Sequence, residues 1–131
     1  MKKLILFVPL AMLFTGCAAV KDIDLSKQEV SRVHEMIDAG NYDAIYEAAD
    51  EAFRTSVEPA RSRALFERVH TAMGAIQSAD AGGFEINTKN GSTFVKLTYT
   101  TSCAKGKLKE EFDFRMRGKQ PKLLNYSVEQ L

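Results

Sequence analysis

The amino-acid sequence predicts an α+β domain in which N-terminal helices pack on an antiparallel meander of four strands. Before Gly74, apolar residues recur every three or four positions, which is typical of helices that bury one face. After Gly74 they recur at every second position, and the pair Asn90-Gly91 between two such runs is a strong hairpin signal. Short turns join neighbouring strands, so one face of the sheet is expected to meet the helices.

The first helix is predicted to begin after Ser26. Ser26 has the residue type of an N-cap, Glu29 completes a capping box three residues later, and Gly40 ends the helix. Its apolar stripe consists of Val30, Val33, Met36 and Ile37. These positions share one helix face, so this face is expected to lie on the sheet.

Two further helices are predicted before the sheet. Asn41 begins a second helix whose apolar face continues to Phe53 without interruption. Pro59 lies near the first turn of a third helix, which ends at Gly74. The sequence therefore predicts three helices in all.

Four runs of alternating apolar and polar residues predict the strands. Gly82-Gly83 in the first run indicates a bulge or a bend in the strand. Cys103 at the end of the second run is expected to be a small buried apolar residue. The third run places Leu108, Glu110, Phe112, Phe114 and Met116 on one face. The fourth places Leu124, Tyr126 and Val128 on that face. The opposite face is predicted to be solvated.

The N-terminus resembles a bacterial lipoprotein signal. Lys2 and Lys3 precede an apolar run from Leu4 to Phe14, and Thr15-Gly16-Cys17 follows. The run is much shorter than the roughly 20 apolar residues that a membrane-spanning helix needs. The resemblance implies a signal peptide at residues 1–16 and lipidation of Cys17. It also implies a lipidated tether at residues 17–26 and a single domain at residues 27–131.

Lipidation would place the protein in the bacterial cell envelope, because acyl chains on Cys17 would hold it on a membrane. By resemblance to Gram-negative lipoproteins, Ala18 after the cysteine favours the outer membrane, with the domain facing the periplasm. An ordinary secretory signal, in which Cys17 has no role, is the alternative.

The charge of the chain is nearly balanced, at a formal net charge of +1, which predicts no nucleic-acid partner. Basic residues concentrate in the sheet, where residues 89–122 hold nine basic and three acidic side chains. A candidate anion-binding patch comprises Lys105, Lys107, Lys109, Arg115, Arg117, Lys119 and Lys122. Lipid phosphates, lipopolysaccharide or an acidic protein would suit such a patch. The alternative is a solvated sheet whose edges are protected by lysine.

The order of elements behind the signal resembles that of small bacterial lipoproteins with a cystatin-like or NTF2-like domain of unknown function. The likeness lies in the helix junction from Ala39 to Tyr46 and in Met73-Gly74 before the first strand. The resemblance implies a curved sheet that wraps around the helices as a cone. It brings no established activity and no functional residues, and it leaves open whether the cone holds a cavity.

Candidate pocket residues can still be named, because histidine and tyrosine supply acid–base groups. They are His34, Tyr42, Tyr46, His70, Tyr99 and Tyr126. Each also has a structural interpretation, as a core residue that makes one hydrogen bond. Asp113 falls in the solvent-facing register, which argues against it as a base. No catalytic residue is assigned.

The sequence predicts no metal site and no cofactor. Two histidines and one remaining cysteine do not match the close spacing of zinc ligands. No glycine-rich phosphate loop precedes a helix.

Two functions therefore stay open, and the sequence leaves undecided whether the protein is an enzyme. The favoured one is an envelope lipoprotein without catalysis that binds a protein or a small apolar ligand. The other is a cone-fold enzyme of the lyase or isomerase type that acts on a small molecule. A deep cavity with a histidine would favour the enzyme, whereas a filled interior with an exposed apolar strip on the sheet would favour a protein partner.

Overall fold

The computed structural model describes residues 15–131, which form four helices followed by four strands. The helices are α1 (Thr15–Asp38), α2 (Tyr42–Ala48), α3 (Glu51–Ser56) and α4 (Pro59–Met73). The strands are β1 (Ile76–Lys89), β2 (Ser92–Cys103), β3 (Gly106–Arg117) and β4 (Gln120–Gln130). All neighbours pair antiparallel in the order β1-β2-β3-β4, which confirms the predicted α+β class and the meander. Residues 1–14 of the predicted signal peptide lie outside the described residues.

Helix α1 begins well before the predicted start at Ser26, so that prediction is wrong. Residues 17–26, predicted as a tether, are helical, and Ile23 and Ser26 are buried. Ser26 does not cap a helix, because its hydroxyl donates to the Asp22 carbonyl within α1 at 2.7 Å. One face of these early turns carries the buried residues Ile23, Ser26 and Val30 at helical spacing. This face packs on the sheet, which stabilises the turns.

The predicted second helix is two helices, separated at Asp50. Ala49 is extended, and Asp50 caps α3 by accepting a hydrogen bond from the Ala52 N–H at 3.0 Å. The backbone N–H of Asp50 donates to the Leu123 carbonyl of β4 at 2.8 Å. The apolar periodicity concealed this break, because Ile45 and Phe53 on either side of it are both buried.

The inward face of the sheet follows the predicted alternation on β2 and β3. Asn90 and Gly91 both have positive φ angles, of 52° and 77°, as a two-residue hairpin turn requires. On β4 the prediction of Leu124 as an inward residue is wrong, and Leu123 is buried instead. A register shift after Asp113 in the β3–β4 pairing moves the inward position by one residue.

The core lies between the helices and the inner faces of β2, β3 and β4. Its largest fully buried side chains include Phe66 of α4 and Phe112 and Phe114 of β3. A smaller cluster of Val69, Met73, Cys103 and Leu108 closes the end near the β2–β3 turn. The buried position of Cys103 confirms its prediction.

Strand β1 is the least covered part of the sheet. Nearly all of its residues are exposed, although it pairs with β2 along its length. Phe84 lies opposite the buried Leu97, which places Phe84 on the inner face, yet it remains 61% exposed. The register shifts between Ala81 and Phe84, which confirms the predicted irregularity of the strand at Gly82-Gly83. Among the described residues, no helix has the length and apolar character needed to cross a membrane.

Candidate functional site

Strand β3 places a carboxylate inside the protein. Glu110 lies in the inward register between Leu108 and Phe112, and it is 0% exposed. Successive side chains of a strand point to opposite faces of the sheet, so every second side chain of β3, including that of Glu110, points to the helices. A buried carboxylate is costly unless it is paired and hydrogen-bonded, so its surroundings determine its chemistry.

Three side chains donate hydrogen bonds to Glu110. Oε1 accepts from His34 Nε2 at 2.8 Å and from Thr101 Oγ1 at 2.5 Å. Oε2 accepts from the Tyr126 hydroxyl at 2.6 Å. We call these four residues the Glu110 cluster. It connects α1, β2, β3 and β4 through one carboxylate.

The charge state of Glu110 follows from these contacts. Burial by itself raises the pKa of Glu110, but the hydrogen bond and charge of His34, with the two hydroxyl donors, bring it below its usual range. An ionised carboxylate only accepts hydrogen bonds, so Nε2 of His34 carries the proton between them. Burial, followed by the negative charge of Glu110, raises the pKa of Tyr126 well above its ordinary value.

Tyr99 lies beside the Glu110 cluster without a hydrogen bond to its carboxylate. Its ring meets those of His34 and Phe112 edge-on, at centroid distances of 6.4 and 5.9 Å. Burial and the charge of Glu110 raise the pKa of Tyr99. The structure thus brings together His34, Tyr99 and Tyr126 of the six candidate pocket residues.

The other three candidate pocket residues lie elsewhere and make structural contacts. His70 Nδ1 donates to the Ile37 carbonyl at 2.5 Å, which satisfies a backbone group in the last turn of α1. Tyr42 packs edge-on against His70. The Tyr46 hydroxyl shares its one proton between the carbonyl oxygens of Arg54 and Val57, which lie 2.8 and 2.9 Å away around the end of α3.

Sequence reasoning missed two members of the cluster, Glu110 and Thr101. Both fall in the inward register of strands that were correctly predicted, between apolar neighbours. Charged residues are almost never fully buried without a partner. A glutamate in the inward register therefore indicates a buried partner, and this signal was available in the sequence.

Packed rings enclose the Glu110 cluster. Tyr126 lies 5.0 Å from Phe112 and 5.1 Å from Phe66, measured between ring centroids. Glu110, Phe112 and Phe66 are all 0% exposed. A side chain that bordered a water-sized void would retain accessible surface, so no such void borders these three side chains. His34, Tyr99 and Tyr126 around them retain 6–7% exposure.

The predicted anion-binding residues lie at two ends of the sheet. Lys105, Lys107 and Lys109 lie in or near the β2–β3 turn, whereas Arg115, Arg117, Lys119 and Lys122 lie near the β3–β4 turn. Asp50 forms ion pairs with Arg115 at 3.5 Å and with Arg117 at 3.2 Å. Burial raises the pKa of Asp50, but the Ala52 N–H and the two arginines bring it below its usual value. Anion binding stays a prediction for the remaining lysines.

Cys17 is exposed near the start of α1. Asp113 lies on the outer face, as predicted, and lines a groove of about 270 Å³ with Phe94 and Lys96. Burial raises the pKa of Asp113, although Lys96 opposes this effect. Within residues 15–131, no group of three or more histidine, cysteine, aspartate or glutamate side chains is arranged to hold a metal ion.

Comparison with known proteins identifies the fold but does not assign the chain to a family. No protein-family model matches this sequence, and no curated protein matches it. Among solved structures, the chain is similar to "Putative Scytalone Dehydratase" from Novosphingobium aromaticivorans DSM 12444, with a TM-score of 0.55 and 9% identity. The similarity covers 86% of this chain and 86% of that chain. The NTF2-like architecture expected from the sequence is therefore confirmed, while an identity this low carries the fold alone.

Proposed function

We propose that this protein is a lipid-anchored envelope protein that binds a protein partner and has no catalytic activity of its own. The lipid anchor rests on the resemblance of residues 1–17 to a lipoprotein signal. Binding of a protein rests on one observation, which is the contrast between the close packing around the buried Glu110 and an uncovered apolar strip on β1.

The close packing around Glu110 argues against a small-molecule site at the Glu110 cluster. Glu110 is fully buried and its oxygens already accept hydrogen bonds from His34, Thr101 and Tyr126. A catalytic carboxylate must reach its substrate, and a ligand pocket must bury most of its ligand. The hydrogen bonds of the cluster instead satisfy the buried carboxylate of Glu110. Buried polar groups in proteins usually have such hydrogen-bond partners.

The strip on β1 supports a protein partner. Ala79, Ala81 and Phe84 lie on the inner face of β1, opposite buried residues of β2, and all three are exposed. β1 is also the first strand of the sheet order, so one of its backbone edges has no neighbouring strand in the sheet. An extended segment of another protein can pair with such an edge while its side chains cover the apolar face.

Site-specific photo-crosslinking in the native envelope tests this proposal. A photoreactive residue at Phe84 is expected to give one adduct of defined mass, whereas the same residue at Thr100, which is exposed on β2, gives none. The partner identified by mass spectrometry should bind the purified domain, and Phe84→Ser should weaken that binding at least tenfold. Equal labelling from both positions, or unchanged binding by Phe84→Ser, rejects the β1 surface.

An acid–base enzyme is the second candidate, favoured by the contact between His34 and Glu110. In a neutral His34 whose Nε2–H is held by the carboxylate, Nδ1 would be the atom that accepts a proton from a substrate. The Novosphingobium protein is described as a dehydratase, and loss of water can begin when such a base removes a proton. A substrate would need the core to open near His34, which is 7% exposed.

Incubation of the purified domain with scytalone distinguishes the two functions. The binding-module proposal predicts no loss of water from scytalone beyond the rate in buffer. Turnover that disappears in the His34→Gln variant, while the variant unfolds at the same urea concentration as the wild type, would establish the enzyme instead.

A further inference from the structure

We propose that α1 holds the domain in a fixed orientation on the membrane, with the β3–β4 turn facing the lipid headgroups and the β2–β3 turn pointing away. This inference rests on lipidation of Cys17, which belongs to the proposed function. It adds a membrane-contact surface, formed by the first turns of α1 and the β3–β4 turn.

The anchor position is joined to the core by a continuous helix. Cys17 and Ile23 both lie in α1, and Ile23 is only 9% exposed. Six residues of helix span about 9 Å at the usual rise of about 1.5 Å per residue. A flexible linker would let the domain rotate freely relative to the anchor. A short helix that is packed on the sheet instead fixes the orientation of the domain relative to its first turn.

Three contacts fix the direction in which α1 crosses the sheet. Near the helix end, the Ile76 N–H donates to Asp38 Oδ1 at 3.1 Å, and Ile76 pairs with the last residue of β2, beside the β2–β3 turn. In the middle of α1, His34 binds Glu110 of β3. Toward the start, Ser26 Oγ lies 3.8 Å from Met116 Sδ, one residue before the end of β3.

The start of α1 therefore leaves the domain at the end where β3 turns into β4. Residue numbers fall along α1 as they rise along β3, so residues 17–22 extend beyond the level of Met116. The β3–β4 turn, at Gly118 and Lys119, follows Met116 by two and three residues. The β2–β3 turn, at Ala104 and Lys105, lies at the opposite end of β3.

The surface at this end suits a bilayer interface. Val20 is 59% exposed, one of three large apolar side chains with such exposure among the described residues. Lys21 beside it and Lys119 on the turn are also exposed. Apolar side chains enter the boundary between headgroups and acyl chains, while lysines remain with the phosphates. Asp22 and the exposed Asp24 offset the charge of Lys21 in these turns, so Val20 and Lys119 are the residues that suit this surface.

Fluorescence quenching in vesicles tests the orientation. The full-length lipidated protein, with Cys103→Ala as background, is labelled with the fluorophore NBD at Lys119→Cys or at the matched position Lys107→Cys. Vesicles of phosphatidylethanolamine and phosphatidylglycerol carry nitroxide on their headgroups. Quenching at position 119 is expected to exceed quenching at position 107 by at least threefold, and a flexible Gly-Ser insertion after Ala19 should remove the difference.

Each outcome tests a different part of the proposal. Equal quenching at both positions, in protein that is lipidated and bound to vesicles, overturns the fixed orientation and leaves the proposed anchor intact. Greater quenching at position 107 overturns the direction assigned to α1. An unmodified Cys17, determined by mass spectrometry of the same sample, overturns the proposed anchor and this inference together.

Discussion

His34 on α1 and Glu110 on β3 lie 76 residues apart and meet through a hydrogen bond of 2.8 Å in the interior of the protein. The contact fastens the longest helix to the middle of the sheet. Thr101 and Tyr126 complete the hydrogen bonds of the same carboxylate, so four elements depend on one side chain. Removal of any partner leaves buried polar groups unsatisfied.

Replacement of Glu110 is expected to destabilise the protein strongly. Glu110→Leu leaves three buried donors without an acceptor, so the free energy of unfolding should fall by about 3–5 kcal/mol. Urea denaturation followed by circular dichroism measures this change. The double variant His34→Leu/Glu110→Leu should lose less than the sum of the single variants, by about 0.5–3 kcal/mol, since the two residues interact directly. Strictly additive losses would contradict the pairing.

The stability contributed by Glu110 is expected to disappear in acid. Its pKa in the folded protein lies below the ordinary value of 4.5, so the unfolded chain takes up the proton first as the pH falls. The contribution is fully present above about pH 5 and is lost as the pH falls through the folded pKa. Wild type and Glu110→Gln should therefore differ in unfolding free energy at pH 7 and approach each other below pH 4.

The matched pH series on both proteins isolates Glu110 from other acids. The pKa of Asp50 is lowered as well, and Asp50 contributes equally to both proteins. A difference between wild type and Glu110→Gln that stays constant from pH 7 to pH 3 would show that Glu110 does not titrate as inferred.

The sheet was predictable from the sequence because its determinants are local. Alternation of side chains fixes the faces of β2 and β3, and Asn90-Gly91 fixes the turn before β2. Errors arose where tertiary contacts decided the outcome. Asp50 breaks a helix because its N–H reaches Leu123, and the first turns of α1 form on a sheet that lies far along the chain.

The Glu110 cluster was only partly predictable for the same reason. Its members His34 and Tyr126, and Tyr99 beside it, were selected by residue type. So were His70, Tyr42 and Tyr46, which make separate contacts. Residue type and register do not specify which helix lies above which strand. The inward register of Glu110 gave the one local signal of a buried polar site.

Asp50 is expected to have two separable effects on stability. Asp50→Asn keeps a cap for the Ala52 N–H but removes the ion pairs with Arg115 and Arg117, whose side chains are 26% and 51% exposed. Asp50 is buried, but the two arginines that would lose it remain partly exposed to solvent, so this variant should lose only about 1 kcal/mol. Asp50→Ala should lose about 1 kcal/mol more through the missing cap. Thermal unfolding measures both, and equal losses would show that the cap contributes nothing.

Two phenylalanines distinguish the core from the proposed binding strip. Phe66 is 0% exposed and packs against Tyr126, so Phe66→Ala should reduce the free energy of unfolding by about 3–5 kcal/mol. Phe84 is 61% exposed, so Phe84→Ala should change it by less than about 0.5 kcal/mol in the purified protein. Urea denaturation of both variants provides the comparison. A large loss from Phe84→Ala would mean that this ring stabilises the isolated domain, and the strip on β1 would then not be free for a partner.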